Sequence, residues 1–463
     1  MKDQVTENAP SKALAHFAAS LSIDDVPERT RNRARLHVLD GLGLALASRA
    51  HPYADSTLAA VKELSDGGGT CSIIGQSARA TVRDAALANG ILIHGLDFDD
   101  THQQAIVHPT AACLPAALGV AEAADLTGRD LLAAYCIGME AAIRIGAAVK
   151  GGFHHTGFHA TGIVAHFASA LAAGRLMGLN AAELVYAQGI AASTASGVQV
   201  FLEEGAWTKR FHPGWAAVAG ITAATLARHH FRGPTRAYEG RFGLFDTHLQ
   251  GDHHDLDLAV LSDELGTRWM MTDTALKPYP VCHFIHGAAD AAIDARREIG
   301  DAAIEAVEIR LPSDTLPIVA EPEDAKRAAA TEYEAKFSAH YVVATCLLRG
   351  AFGLSDLTPE ALADPATKSL AARCTCVTDP ESAFPTYFSG GVRVRLADGR
   401  EIDRHVRINS GAGERMMDVE AVSAKFHANA DPVIGGERAG LLRDTILGIE
   451  QASARDLAAA FRG

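Results

Sequence analysis

The chain lacks what marks a membrane span, a zinc ribbon or a nucleic-acid surface. Its uncharged apolar stretches, such as GWAAVAGITAATLA from Gly214 to Ala227, fall short of the roughly 20 residues a bilayer helix needs. The opening MKDQVTENAPSKALAHF has no apolar core of a secretion signal, so no membrane partner and a cytoplasmic location are expected. Basic residues are outnumbered, 42 Lys and Arg against 56 Asp and Glu for a net charge of -14, which excludes general phosphate attraction and any nucleic-acid partner built on it. An anionic substrate then requires cations gathered locally. The seven cysteines are scattered and odd in number; the close pair Cys374 and Cys376 lacks zinc-ligand spacing, and reduced thiols are the simplest reading.

What is present is apolar material, 48% of residues, and much of it is patterned as helix. From Lys12 to about Leu265 apolar residues recur at three and four spacing, with Gly, Pro or Asn between segments. In DDVPERTRNRARLHVLDGLGLALASRA, Asp24 and Asp25 supply cap oxygens and Pro27 suits a first turn. The texture changes near Gly266. Ile304 to Pro312 alternates apolar and charged residues, and VRVRLADGREIDRHV does so on both sides of Asp398-Gly399, a hairpin signature. After it, helical spacing returns. The expected fold is mainly α: a helical domain made of 1–268 and 408–463, with a smaller α/β domain, 269–407, inserted between.

Four stretches carry chemistry. HGLDFDDTHQQAIVHP holds Asp97, Thr101 and His108 at spacings of four and seven, one face if the segment is helical, with Pro109 ending the helix before His108. A carboxylate, a hydroxyl and an imidazole on one face can orient and move a proton. Equally, Asp99, Asp100 and His102 can be a solvated helix end, and His94, Asp97 and Asp100 can face a hard cation such as magnesium. GGFHHTGFHATG sets His159 just before a helix starting near Gly162, where free N–H groups favour an anion; a partly exposed loop fits too. EEGAWTKRFHPGWAA gathers Lys209, Arg210 and His212 ahead of a Pro-Gly helix start, either for a substrate or as exposed partners of Glu203 and Glu204. In LKPYPVCHFIHGAADAA, prolines stiffen the chain beside Lys277, and Cys282 is either a thiol near a site or a small buried residue.

Taken in order, LDFDDTH…HP, GFHATG, WTKRFHPGWAA, EGRFGLF, KPYPVCHFIHGAADA, EAKFSAHYVVA and DVEAVSAKF resemble the MmgE/PrpD family over essentially the whole chain. The resemblance implies a large helical domain, an α/β lid, a homodimer, and cofactor-free chemistry on di- and tricarboxylates. It places functional residues on Asp97, Thr101, His108, His159, Lys209, Lys277 and Tyr341 and implies no metal; with the motifs above, catalytic roles are expected for Asp97, His108, His159, Lys209 and Lys277, and substrate contacts from Thr101, His212, Cys282 and Tyr341. The family's decarboxylase branch has a histidine where this chain has Cys282, and its dehydratase branch reads HPxDN where this chain reads HPTAA. The expected activity is therefore a lyase or isomerase acting by proton abstraction next to a carboxylate, nearest the iminodisuccinate epimerase and cis-aconitate decarboxylase branches. A 2-methylcitrate-type dehydratase is the alternative.

In this reading His108 is the base or acid, Asp97 orients it or shares its proton, Thr101 holds substrate, and Lys209, Lys277 and His159 neutralise developing charge. If Lys277 and Tyr341 come from the lid, closure completes the site. Two other classes compete. A magnesium-dependent helical enzyme would use the aspartate run but lacks a second acidic motif, and a carboxylate-binding protein without turnover would keep the pocket alone.

Overall fold

Alanine and glycine at helix-contact positions let backbones approach closely, and the larger of two compact units is built on that approach. The computed structural model describes residues 9–66 and 68–463. The expectation of a leaderless N-terminus rests partly on residues 1–8, which lie outside the described residues. The larger unit takes Met1–Thr274 and Asp418–Gly463, the smaller Ala275–Met417. No helix among the described residues is long and apolar enough to cross a membrane.

The main helices of the larger unit's first part are α1 (Pro10–Ser20), α2 (Glu28–Ser48), α3 (Pro52–Leu64), α4 (Val82–His94), α5 (Thr110–Ala124), α6 (Gly128–Ala147), α7 (Ala160–Leu176), α8 (Ala181–Ala192) and α9 (Thr208–Arg228). Helix α9 packs against both α4 and α7. At the α4 crossing the two backbones touch: a methyl group on Gly90 would lie 2.5 Å from the Gly214 Cα, and one on Gly214 would lie 2.5 Å from the Leu87 carbonyl oxygen. At the α7 crossing a methyl on Gly220 would lie 2.4 Å from the Ser169 Cβ. Only glycine fits such contacts.

Two local expectations change. Asp24 and Asp25 do not cap α2: Asp25 closes a capping box with Ser22 on a separate short turn, Ile23–Asp25, and Pro27 is the residue just before α2. Helix α9 begins at Thr208, five residues ahead of Pro213, which sits inside it. That proline forfeits one backbone hydrogen bond near the helix start, and the buried Gly214 contact with α4 offsets the loss.

Residues 269–273 also pack with the larger unit. Glu140 and Arg144 of α6 are fully buried and ion-paired at 2.7 Å. The Glu140 carboxylate accepts from the N–H groups of Met270 (3.1 Å) and Met271 (3.0 Å), and Arg144 donates to the carbonyls of Val260, Asp263 and Arg268. This charge pair is satisfied only while the 260–271 segment lies on it, which moves the boundary to Thr274.

The smaller unit has helices α10 (His286–Ile299) and α11 (Ala339–Arg349) and a four-stranded sheet of β1 (Ile304–Leu311), β2 (Cys374–Thr378), β3 (Gly390–Leu396) and β4 (Glu401–Val406), ordered β2-β1-β3-β4. Strand β2 runs parallel to β1; the other pairs are antiparallel. The alternation read from the sequence sets the register: Val307 lies opposite Val394 and Ile309 opposite Val392, all buried in one core with the helices. The hairpin turn places Gly399 at φ 88°. Strand β2 was not anticipated, because CTCVT is too short to show alternation. The chain then returns to the larger unit as α12 (Val419–Ile434), α13 (Gly436–Leu447) and α14 (Ala454–Phe461).

The Gly90→Ala substitution should destabilise the protein by about 1–3 kcal/mol, the usual range for overpacking. Urea unfolding should show a lower midpoint at an unchanged slope; an unaltered midpoint would contradict the backbone contact.

Candidate active site

Helix α4 delivers His94 at its last turn, and the chain then leaves the helix. The Gly95 carbonyl, which would serve the next turn, accepts instead from Arg210 Nε at 2.6 Å. Arg210 in turn lies 4.4 Å over the Tyr53 ring, and a methyl on Gly95 would fall 2.3 Å from the Tyr53 hydroxyl. Asp97 follows with φ 54° and Ile106 with φ 51°, and a bridge joins His102 to Val107. The segment from 95 to 109 is an irregular loop, so Asp97, Thr101 and His108 do not share a helix face. Nor is it solvated: Asp99 and Asp100 are 1% exposed and His102 3%.

Asp100 organises this loop. Its carboxylate accepts from the Thr110 hydroxyl (2.6 Å) and N–H (3.3 Å) at the start of α5, and His37 Nδ1 of α2 lies 3.0 Å away. Its backbone carbonyl lies 2.8 Å from His108 Nδ1, and Thr101 Oγ1 lies 3.1 Å from the same nitrogen. A carbonyl can only accept, so His108 Nδ1 carries a proton, and in the neutral ring Nε2 carries the lone pair. The His108 N–H donates to Thr161 Oγ1, 3.0 Å away in the first turn of α7. From the C-terminal part, Lys425 of α12 donates to the Phe98 carbonyl at 2.9 Å, pairs with Asp40 at 2.7 Å and sits 3.8 Å over the Phe98 ring. Burial nevertheless raises the Asp40 carboxyl to about 6.

Asp97 pairs with Lys209 of α9 at 2.8 Å, both side chains about one-tenth exposed. Lys209 is thus a largely buried partner of Asp97 rather than a surface residue, and the bonds at His108 Nδ1 come from the Asp100 carbonyl and Thr101. Because α4 and α9 touch at Gly90 and Gly214, the end of one helix and the start of the other converge, bringing His94 and Lys209 into the same neighbourhood.

Around them is a packed group of imidazoles. His94 Nδ1 lies 2.8 Å from Asp99 Oδ2, and its ring centroid is 5.0 Å from that of His108 and 5.7 Å from His159. His159, the residue before α7, has Nδ1 3.1 Å from His212 Nδ1, so one of the two donates. Burial pushes His159 well below the ordinary histidine range, with His212 and Lys209 acting in the same direction. Burial likewise lowers His212 and His154 to about 4. These rings are held neutral beside a lysine, which is how a site keeps bases ready without water.

Of the alternative cation trio His94, Asp97 and Asp100, Asp97 pairs with Lys209, and Asp100 bonds Thr110 and lies against His37. Ligand atoms of His94, Asp99 and His108 do lie within 4.8 Å of one another. One of these contacts is the His94–Asp99 hydrogen bond, and His108 Nδ1 faces the Asp100 carbonyl outside the trio. No role for His37 or Lys425 is read from the sequence, which does not show that Asp99, Asp100 and Arg210 serve as supports of this loop. Their partners lie in other segments, and a buried DFDD run amid apolar helices was the one available signal.

In the smaller unit, Lys277 precedes Pro278. The Cys282 N–H donates to the Lys336 carbonyl at 2.9 Å, and the Tyr341 hydroxyl donates to the Asp356 carbonyl at 2.5 Å. Cys282 is buried, and the Tyr341 proton is committed within its own unit.

Comparison with known proteins gives two profile matches: residues 12–257 to the MmgE/PrpD N-terminal domain and residues 279–449 to the MmgE/PrpD C-terminal domain. A cis-aconitate decarboxylase-like protein, oryM, of Aspergillus oryzae is 27% identical over 97% of this chain and 96% of its own length. Cis-aconitate decarboxylase of Aspergillus terreus is 27% identical over 62% of this chain and 60% of its own. The human cis-aconitate decarboxylase is 28% identical over 76% and 73%.

The buried histidines fix a pH dependence. His154, His166 and His212 have folded-state values near 4, below the ordinary value of about 6.5 they regain on unfolding. Between those limits the unfolded chain binds more protons, so stability is full above about pH 6.5 and falls as pH drops toward 4. Urea midpoints should decline from pH 7 to pH 5, and H166N should flatten the decline. A midpoint that holds or rises toward pH 5 would contradict neutral burial.

Proposed function

The chain belongs to the MmgE/PrpD family, and from that premise we propose that it is a cofactor-independent lyase or isomerase acting on a small di- or tricarboxylate. The reading is carried by one observation: His108 holds its proton on Nδ1 against the Asp100 carbonyl, leaving Nε2 as a base beside neutral imidazoles and the Lys209–Asp97 pair. His108 Nε2 removes a proton from carbon next to a carboxylate, the electron pair stays on the substrate as an enolate, and Lys209 neutralises that charge. Asp97 keeps the ammonium aimed. The same cation serves if carbon dioxide leaves instead of a proton, the reaction that the names of the relatives describe. Thr101 and His212 contact substrate in this reading, and His159 supplies a neutral donor or acceptor. The roles that the family resemblance implies for Lys277 and Tyr341, a substrate contact from Cys282, lid closure and a homodimer belong to the same proposal.

Proton NMR in D₂O with cis-aconitate, 2-methylcitrate, citrate, tartrates and fresh iminodisuccinate tests it. Deuterium entry without breakdown identifies an isomerase, and new vinyl signals identify a lyase. The His108→Gln variant should lose about 10²–10⁴-fold in turnover, the share general acid–base catalysis supplies. Lys277→Met should also lower turnover. Wild-type silence across the panel, or full activity in His108→Gln, would overturn the proposal.

A further inference from the structure

His94 stands in the cluster without a task in the mechanism above. It is 1% exposed, and its Nδ1 is committed to Asp99 Oδ2 at 2.8 Å. A carboxylate only accepts, so the Nδ1 proton is fixed, and in the neutral imidazole Nε2, on the other edge of the ring, holds the lone pair. Among the described residues nothing hydrogen-bonds that Nε2, although it is buried. The ring stacks on His159 at 5.7 Å and leans on His108 at 5.0 Å, so the orphaned nitrogen belongs to the group of imidazoles around the proposed base. His159 Nε2 is buried and orphaned in the same way. A buried acceptor without a donor costs about 1–3 kcal/mol, and native proteins rarely leave one unanswered.

We propose that His94, set by Asp99, is a specificity-determining residue whose Nε2 accepts a hydrogen bond from the substrate, so that the substrate class is a polycarboxylate bearing a hydroxyl or amine N–H. The inference rests on the carboxylate reading above and narrows it. The anionic groups of such a substrate need cations, which Lys209 supplies. An imidazole lone pair repels a carboxylate oxygen and rewards an O–H or N–H. A polycarboxylate without a donor leaves the acceptor dry and unpaired, and a site built around such a bond rejects the analogue lacking it far more strongly than a hydrophobic pocket rejects an added group.

Calorimetric titration of the full chain with matched pairs of anions tests this: citrate against tricarballylate, malate against succinate, and aspartate against succinate. In at least one pair the donor-bearing anion should bind about tenfold tighter or more. Asp99→Asn, whose amide can donate to Nδ1 and move the His94 proton to Nε2, should shrink or reverse that preference. His94→Leu should bring it below about threefold while keeping affinity for the donor-free anion. If every wild-type pair binds within threefold, or if the preference survives both substitutions, the His94 inference falls while the carboxylate reading stands. If no anion binds, the carboxylate reading itself fails and takes the inference with it.

Discussion

The Asp100 peptide carbonyl on His108 Nδ1 is the contact on which the site's chemistry depends. It fixes which nitrogen carries the proton, and it can do so only because the residue that carries the carbonyl is held in place. Asp100 is held at its carboxylate by Thr110 and His37, two residues far apart in the chain. A buried carboxylate costs several kcal/mol unless satisfied, so the loop has one arrangement that pairs it. The same residue thereby ties α2, α5 and the 95–109 loop into one body.

The supports of that loop come from both ends of the chain. Lys425 arrives from α12, within the C-terminal segment, and holds the Phe98 carbonyl; Arg210 arrives from α9 and takes the Gly95 carbonyl. Each is a charged donor spent on a backbone oxygen left unpaired where the helix stops. The backbone contact of Gly90 with Gly214 sets the spacing at which Lys209 meets Asp97. Small residues thus act on chemistry at a distance, by deciding how near two helices run and where their ends fall.

Much of the architecture was legible in the sequence. Three-and-four spacing marked the helices of the larger unit, and alternation in 304–312 and 392–406 marked three of the four strands of the smaller unit's sheet and the hairpin between two of them. The site was legible as residue types but not as geometry. Asp97, Thr101 and His108 were grouped by helix periodicity, yet the loop brings Thr101 and His108 together by leaving the helix, and it sends Asp97 to Lys209 instead. Periodicity cannot register Arg210 withdrawing a carbonyl from α4, because the bond spans 115 residues. Burial stays open in the sequence for the same reason: Asp99 and Asp100 fit a solvated helix end as well as a buried site until His37, Thr110 and His94 are placed beside them. The fully buried Glu140–Arg144 pair, in turn, is why the larger unit extends to Thr274.

The measurement that bears most directly on this account is the tautomer of His108, read by ¹⁵N–¹H correlation on protein labelled at histidine nitrogen, with the signal assigned from the spectrum of His108→Gln. At pH 7.5 the account predicts a protonated Nδ1 and a bare Nε2. A proton on Nε2 and none on Nδ1 would contradict it, since the Asp100 carbonyl would then face a lone pair and Nε2 would have none to offer.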